Sequence, residues 1–180
     1  MIGNVWPYRG ILPTIHESAF IAPGTHVIGD VQIGERASIW FNCVIRGDVH
    51  SIRIGARSNV QDGTIVHVTG GRFATFIGED VLIGHQCVIH GCRIENEAFV
   101  GMSSTVMDGC VIESGGMLGA GSLLAPGKSI KSGQLWLGRP ARYIRDLKPE
   151  DVAANRESVV HYVELAAEYR AAQAVPSPGK

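Results

Sequence analysis

The chain has 180 residues, a formal charge of -1, 45% hydrophobic residues and 23 glycines, enough for one domain with a long narrow core. A charge this close to zero offers no electrostatic basis for nucleic-acid binding. No apolar run approaches the ~18 residues of a membrane span and the opening MIGNVWPYRG lacks the basic and apolar regions of a signal peptide, so a cytoplasmic protein without membrane or nucleic-acid partners is expected.

Residues 1–20 read as a lead-in. From Ile21 an apolar residue returns every six positions: Val27, Ile33, Ile39 and Ile45 follow it. Three extra residues precede the next set, Ile54, Val60 and Val66, and five more precede Ile77, Ile83 and Ile89. One residue is then dropped, and Ile94, Val100, Val106, Ile112, Leu118, Leu124, Ile130 and Trp136 complete the run. Four positions after these residues the side chain is small or thin, as at Thr25, Ala37, Cys43, Ser58, Thr64, Cys87, Ser104, Cys110 and Ser122. Gly, Asp and Asn recur between, as tight left-handed corners require.

A period of six fits neither a strand nor a helix alone and describes a repeating unit of short strand, corner and short strand. Three hexads close a turn of about 18 residues, and turns stack at roughly 4.8 Å, so residues 21–140 should form a triangular parallel β-coil of about six turns. The hexads resemble those of the hexapeptide-repeat proteins. That resemblance implies a left-handed β-helix, an exception to the right-handed crossover rule.

Within the coil, Cys43, Cys87 and Cys110 fall at the thin inward position and read as packing residues, with Cys92 one step off it. No CxxC pair is present, which argues against a disulfide framework or a structural zinc site. Beyond Trp136 the hexads stop at LGRPARYIRDLKP. The stretch 141–173 is assigned to a C-terminal helix packing on the coil, with Pro149 suited to its first turn and Val152, Val159, Val160, Val163, Leu165, Ala166 and Tyr169 on roughly one face. Residues 174–180 read as a loose tail.

Of the seven histidines, His16, His26, His50 and His161 have no evident partner in the sequence. His67 follows Val66 and His90 follows Ile89, and their spacing of 23 is one 18-residue turn plus the five-residue insertion. They should therefore stack on adjacent turns, about 5 Å apart at the backbone. His85 occupies a different hexad position on the preceding face and points away from both. Within one chain that argues against a three-histidine site. If identical coils pack around a threefold axis, His67 and His90 of one copy can meet His85 of the next, and three neutral imidazoles with an open fourth position are the ligand set of a catalytic zinc.

The runs WFNCVIRGD (Trp40 to Asp48), SNVQDGTIVH (Ser58 to His67) and IGHQCVIHGC (Ile83 to Cys92) together resemble the γ-class carbonic anhydrases, over the whole coil and on through the GRPAR exit and the terminal helix. The resemblance implies a homotrimer that hydrates carbon dioxide reversibly. His67, His85 and His90 match its metal ligands, His85 coming from the adjacent subunit. Arg46 and Asp62 match an intersubunit salt bridge beside the metal, Gln61 a side chain that orients bound water, and Asp48 a polar residue beside Arg46. Tyr162 matches a tyrosine reaching in from the helix. Zn2+ is the expected ion, with Fe2+ or Co2+ as alternatives; an ion so held brings the pKa of its water from about 15.7 toward about 7.

The chain departs from that pattern in two places. Best-studied active members carry glutamates where this sequence has Val49 and the loop VTGGRFAT, and no acid lies between His67 and Ile77. Proton export is then expected to limit turnover, with His50 and Tyr162 as the candidate replacements. Three other readings stay open: a thioester hydrolase using the same metal on another small electrophile, an acyltransferase working in a cleft between coils, and a structural or assembly subunit clamped by the metal. The string Arg46 to Asp48 as an integrin motif is discounted because it is three common residues in a metal-site context, and GGMLGAGS at Gly115 to Ser122 as a phosphate loop because its glycines fall on hexad corners with no strand-then-helix unit following. No GxSxG elbow is present.

Overall fold

The computed structural model describes residues 4–174. The hexads wind into a left-handed parallel β-helix of about seven turns, followed by one helix. The first face is a ladder of strands from Phe20–Ile21 through Ser38–Ile39, Asn59–Val60, Leu82–Ile83, Phe99–Val100 and Met117–Leu118 to Gln134–Gly138. The second and third faces are linked where the long strands His26–Ile33 and Val44–Ile54 bend across a corner. The coil gains length over the expected six turns because the lead-in is not idle: Asn4–Trp6 and Thr14–Ile15 both pair with His26–Ile33.

The register residues point inward on every turn. Ile39, Ile45, Val60, Val66, Ile83, Ile89, Val100, Ile112, Leu118 and Ile130 are fully buried in one continuous core. The thin positions fit between them, and their hydroxyls find carbonyls: Ser58 Oγ donates to Gly78 O at 2.6 Å and Thr25 Oγ1 to Trp40 O at 2.6 Å. All four cysteines are free and buried, Cys92 included. Burial pushes the Cys87 thiol up to about 11 and Cys43 to about 12, which fits packing rather than ligation.

Glycine is not the sole corner residue. Between the third and first faces, Arg36, Arg57, Asp80 and Glu97 take φ of 53°, 58°, 56° and 60°, each at an intrinsic penalty of about 1–2 kcal/mol. Stacking offsets it. The N–H of Arg57 donates to Glu35 O at 2.8 Å, that of Asp80 to Ala56 O at 3.0 Å and that of Glu97 to Glu79 O at 2.9 Å, so each strained corner is held by the one before it.

Both insertions and the deletion fall at a single corner, between the second and third faces. The first lengthens Val44–Ile54, the second is the loop between Ile65–His67 and Thr75–Ile77, and the deletion follows His90. An irregularity confined to one edge leaves the core register intact and projects side chains from that edge.

The segment assigned to helix from residue 141 begins instead as the strand Ala141–Asp146, which turns back antiparallel on Gln134–Gly138. The helix itself runs Pro149–Ala174 and packs on the first face through Val159, Val163 and Ala166. Val160, expected on that face, is 55% exposed, and Asn155 takes a buried place on the packed side, donating from Nδ2 to Glu97 O at 3.0 Å. Phe20, Trp40 and Phe41 of the coil interlock with Tyr162 and Tyr169 of the helix, Tyr162 lying edge-on to Trp40 at 5.5 Å. Of the expected loose tail, residues 175–180 lie outside the described residues. No helix among the described residues is long and apolar enough to cross a membrane.

Candidate metal centre

His67 and His90 are direct partners in adjacent parallel strands, as the register arithmetic requires. Both side chains emerge at the corner that carries the insertions. His67 Nδ1 stands 3.1 Å from His90 Nε2. The outer nitrogen of each ring meets a carboxylate: His67 Nε2 is 3.0 Å from Asp48 Oδ1, and His90 Nδ1 is 2.6 Å from Asp108 Oδ1. Four side chains on successive turns thus form one line.

The protonation pattern of that line follows from its ends. Burial pushes the Asp48 carboxyl up, but hydrogen bonds from His67 and Arg46 outweigh it and hold it below the usual carboxylate range. Burial acts the same way on Asp108, and hydrogen bonds from Thr69 and His90 again win. Two carboxylates accept only. The hydrogen-bond network therefore assigns the His67 proton to Nε2 and the His90 proton to Nδ1. The two inner nitrogens then face each other with lone pairs at 3.1 Å, an arrangement that attracts a cation.

This donor set fits a divalent metal. Neutral imidazoles whose second nitrogen is held by a carboxylate are the common form of a histidine ligand, and two nitrogens on one tetrahedral zinc stand roughly 3.3 Å apart. Two ligands do not complete a site. Among the described residues, no group of three or more His, Cys, Asp or Glu side chains in a single chain is placed to hold a metal.

His85 lies at the corner between the first and second faces, after the strand Leu82–Ile83. Its Nδ1 is 2.8 Å from Asp62 Oδ2, both side chains being about two-fifths exposed at 39% and 41%. Gln61, 4% exposed, sits beside Asp62 and donates from Nε2 to Asn59 Oδ1 at 3.1 Å. Asn59 Nδ2 is buried with no partner. The helix brings Tyr162 to this same edge, edge-on to Trp40 at 5.5 Å, and burial followed by the Asp62 charge raises its hydroxyl above the usual phenol range.

Each chain therefore carries two clusters of polar side chains on opposite edges of the second face. One holds Arg46, Asp48, His67 and His90; the other holds Gln61, Asp62, His85 and Tyr162. Arg46 and Asp62, expected as a pair between copies, each have a partner at home: Arg46 Nη1 bonds Asp48 Oδ2, and Asp62 bonds His85. Between the edges the face exposes Ile65 and Val88, with Met102 beside the His85 corner. Sequence reasoning missed Asn59, Thr69 and Asp108. Asp108 could have been found from the ladder, because it falls opposite Gly91, one step beyond the His90 row.

A family profile described as bacterial transferase hexapeptide (six repeats) matches residues 13–47. A protein of Methanocaldococcus jannaschii named probable carbonic anhydrase is 52% identical over 151 residues, which cover 84% of this chain and 94% of that protein. The mitochondrial γ carbonic anhydrase 1 of Arabidopsis thaliana is 44% identical over 169 residues, covering 91% of this chain and 62% of the plant protein. The chain spans less than two thirds of the plant relatives it matches. The crystal structure of a Bacillus cereus protein named a putative acetyltransferase superposes with a TM-score of 0.92 at 42% identity over 95% of this chain and 99% of that one.

Proposed function

Because the chain belongs to the γ-class carbonic anhydrase-like family of hexapeptide-repeat proteins, we propose that it hydrates carbon dioxide reversibly at metal sites shared between copies of a homotrimer. The observation that carries the reading is the meeting of His67 Nδ1 and His90 Nε2 at 3.1 Å, each ring held from behind by a carboxylate. The exposed Ile65 and Val88 give the second face an apolar surface for a neighbour. A copy docked there brings its His85 edge to the His67–His90 edge, and closure takes three copies.

His67, His90 and the neighbouring copy's His85 would hold the ion, zinc being the first expectation and iron(II) or cobalt(II) the alternatives. When bound, such an ion brings the pKa of a water molecule toward neutrality. The chain supplies the rest. Asp48 and Asp108 fix the rings of His67 and His90. Gln61, an amide able to donate and accept, orients water without competing as a strong ligand. Val49 and the acid-free loop offer no carboxylate here, and His50 lines one surface hollow with Asp48, Gly47 and Val49. Its Nδ1 accepts the Ser51 N–H at 2.8 Å, leaving Nε2 to carry a proton outward.

An acyltransferase reading, which the name of the Bacillus cereus protein suggests, makes no use of the facing ring nitrogens. The test is metal analysis of anaerobically purified protein paired with stopped-flow hydration of carbon dioxide across a range of imidazole concentrations. Bound metal near one per chain is expected, with slow hydration that rises with imidazole as the added buffer carries the proton. Absence of metal would overturn the centre. Fully metallated protein inactive at every buffer concentration would overturn the reaction and favour another electrophile or a structural role.

A further inference from the structure

Resting on the metal centre proposed above, we infer that Asp108 is a positioning residue for His90, and that the five-residue insertion serves to deliver the side chain that locks it, Thr69. Asp108 Oδ1 accepts from His90 Nδ1 at 2.6 Å, and Thr69 Oγ1 donates to Asp108 Oδ2 at 2.6 Å. Both carboxylate oxygens are occupied, one by the ring and one by the loop. The carboxylate therefore cannot rotate without giving up a charge-assisted hydrogen bond.

The chain departs from the hexad in two ways that make this contact possible. Gly91 takes a φ of 54°, and a Cβ there would collide with Asp108 Oδ1 and lie 2.8 Å from Phe73 Cβ. The missing side chain opens the space through which Asp108 reaches back one turn to His90. The dropped residue after His90 is the deletion that sets this alignment. On the other side, the loop is closed by backbone bonds between Thr69 and Phe73, 3.0 Å in both directions. Phe73 lies over Gly91 and Gly109, beside the Asp108 contact, whose two side chains are each 28% exposed. The far end of the loop is tied to the backbone of the other histidine, since Thr75 Oγ1 donates to His67 O at 2.6 Å. The insertion thus braces both histidines.

The effect on His90 is a choice of tautomer. An acceptor at Nδ1 keeps the proton there and leaves the Nε2 lone pair turned toward His67. A ring without that acceptor spends part of its time with the proton on Nε2, where it blocks the metal. Loss of such an outer carboxylate weakens metal binding by about 10–100-fold in general.

The test uses the full-length assembled protein, with Asp108→Asn, the near-isosteric Thr69→Val and Asp108→Glu as variants. Zinc affinity is measured by competition with a chromophoric chelator, and the His90 tautomer by nitrogen-15 NMR of the metal-free protein. Wild type should bind zinc and show the His90 proton on Nδ1. Asp108→Asn should weaken zinc by about 10–100-fold and mix the tautomers. Thr69→Val should weaken it several-fold in the same direction, and Asp108→Glu should recover part of the loss. Wild type that takes up no zinc overturns the metal centre itself. Wild type that binds zinc, with Asp108→Asn and Thr69→Val unchanged in affinity and tautomer, overturns the role of Asp108 and leaves the centre standing.

Discussion

Arg46 and Asp62 show how a side chain can be satisfied at home and still be needed abroad. Their side chains are 42% and 41% exposed in the single chain, where Arg46 holds Asp48 and Asp62 holds His85. Those are screened surface pairs worth little. Docking of the two edges would desolvate all four groups, and removing one charge would then strand another. Arg46→Ala and Asp62→Ala are each expected to weaken self-association by about 3 kcal/mol, read by equilibrium sedimentation. Unchanged association in both variants would mean that the two residues stay solvated. At this scale the sequence was legible wherever register alone decides position. His67 and His90 stack because 23 is one turn plus an insertion. Asp108 was legible only in part: the ladder sets it opposite Gly91, but its reach back to His90 depends on the side chain that Gly91 lacks, and periodicity marks residues that are present.

The helix is the element whose attachment is most open to a pH test. Arg145 grips Asp151 with two bonds, at 2.6 and 3.0 Å, and the Lys148 N–H adds a third at 2.7 Å, joining the exit strand to the first turn of the helix. The Arg145 hydrogen bonds, followed by that of Lys148, lower the Asp151 carboxyl to about 2. A depressed carboxylate contributes stability above its unfolded pKa and loses it as pH falls through the folded one. Asp151→Asn should therefore be less stable than wild type at neutral pH in urea unfolding, with the difference shrinking below about pH 4 and gone only below about pH 2. A gap that stays constant with pH would remove the charge from the explanation.

Pro149 announced where this helix begins. Its packed side was less legible, because Asn155 reads as polar and exposed until the Glu97 carbonyl beneath it is known. The strand Ala141–Asp146 was hidden for a related reason. Its pairing is antiparallel, outside the six-residue repeat, and it covers an edge of the last turn that would otherwise be bare.

Over the whole molecule, repetition made the coil readable: nineteen inward residues in a single register can hardly be accommodated any other way. The candidate site was readable in part, since its histidine row follows from register while the meeting of its proposed halves would belong to an assembly rather than to a chain. The placing of those halves on opposite edges of one face has a genetic consequence. A copy lacking His85 and a copy lacking His67 are defective at different edges, and each retains what the other has lost. Alone, either variant would assemble, in the proposed trimer, into rings in which every junction is broken. Mixed in equal amounts and allowed to exchange, about one junction in four joins two intact edges in a ring of three. His85→Ala and His67→Ala should each be inactive, and their mixture should regain about a quarter of wild-type activity. A mixture as inactive as its parts would mean that each chain must complete its site without help from its neighbours.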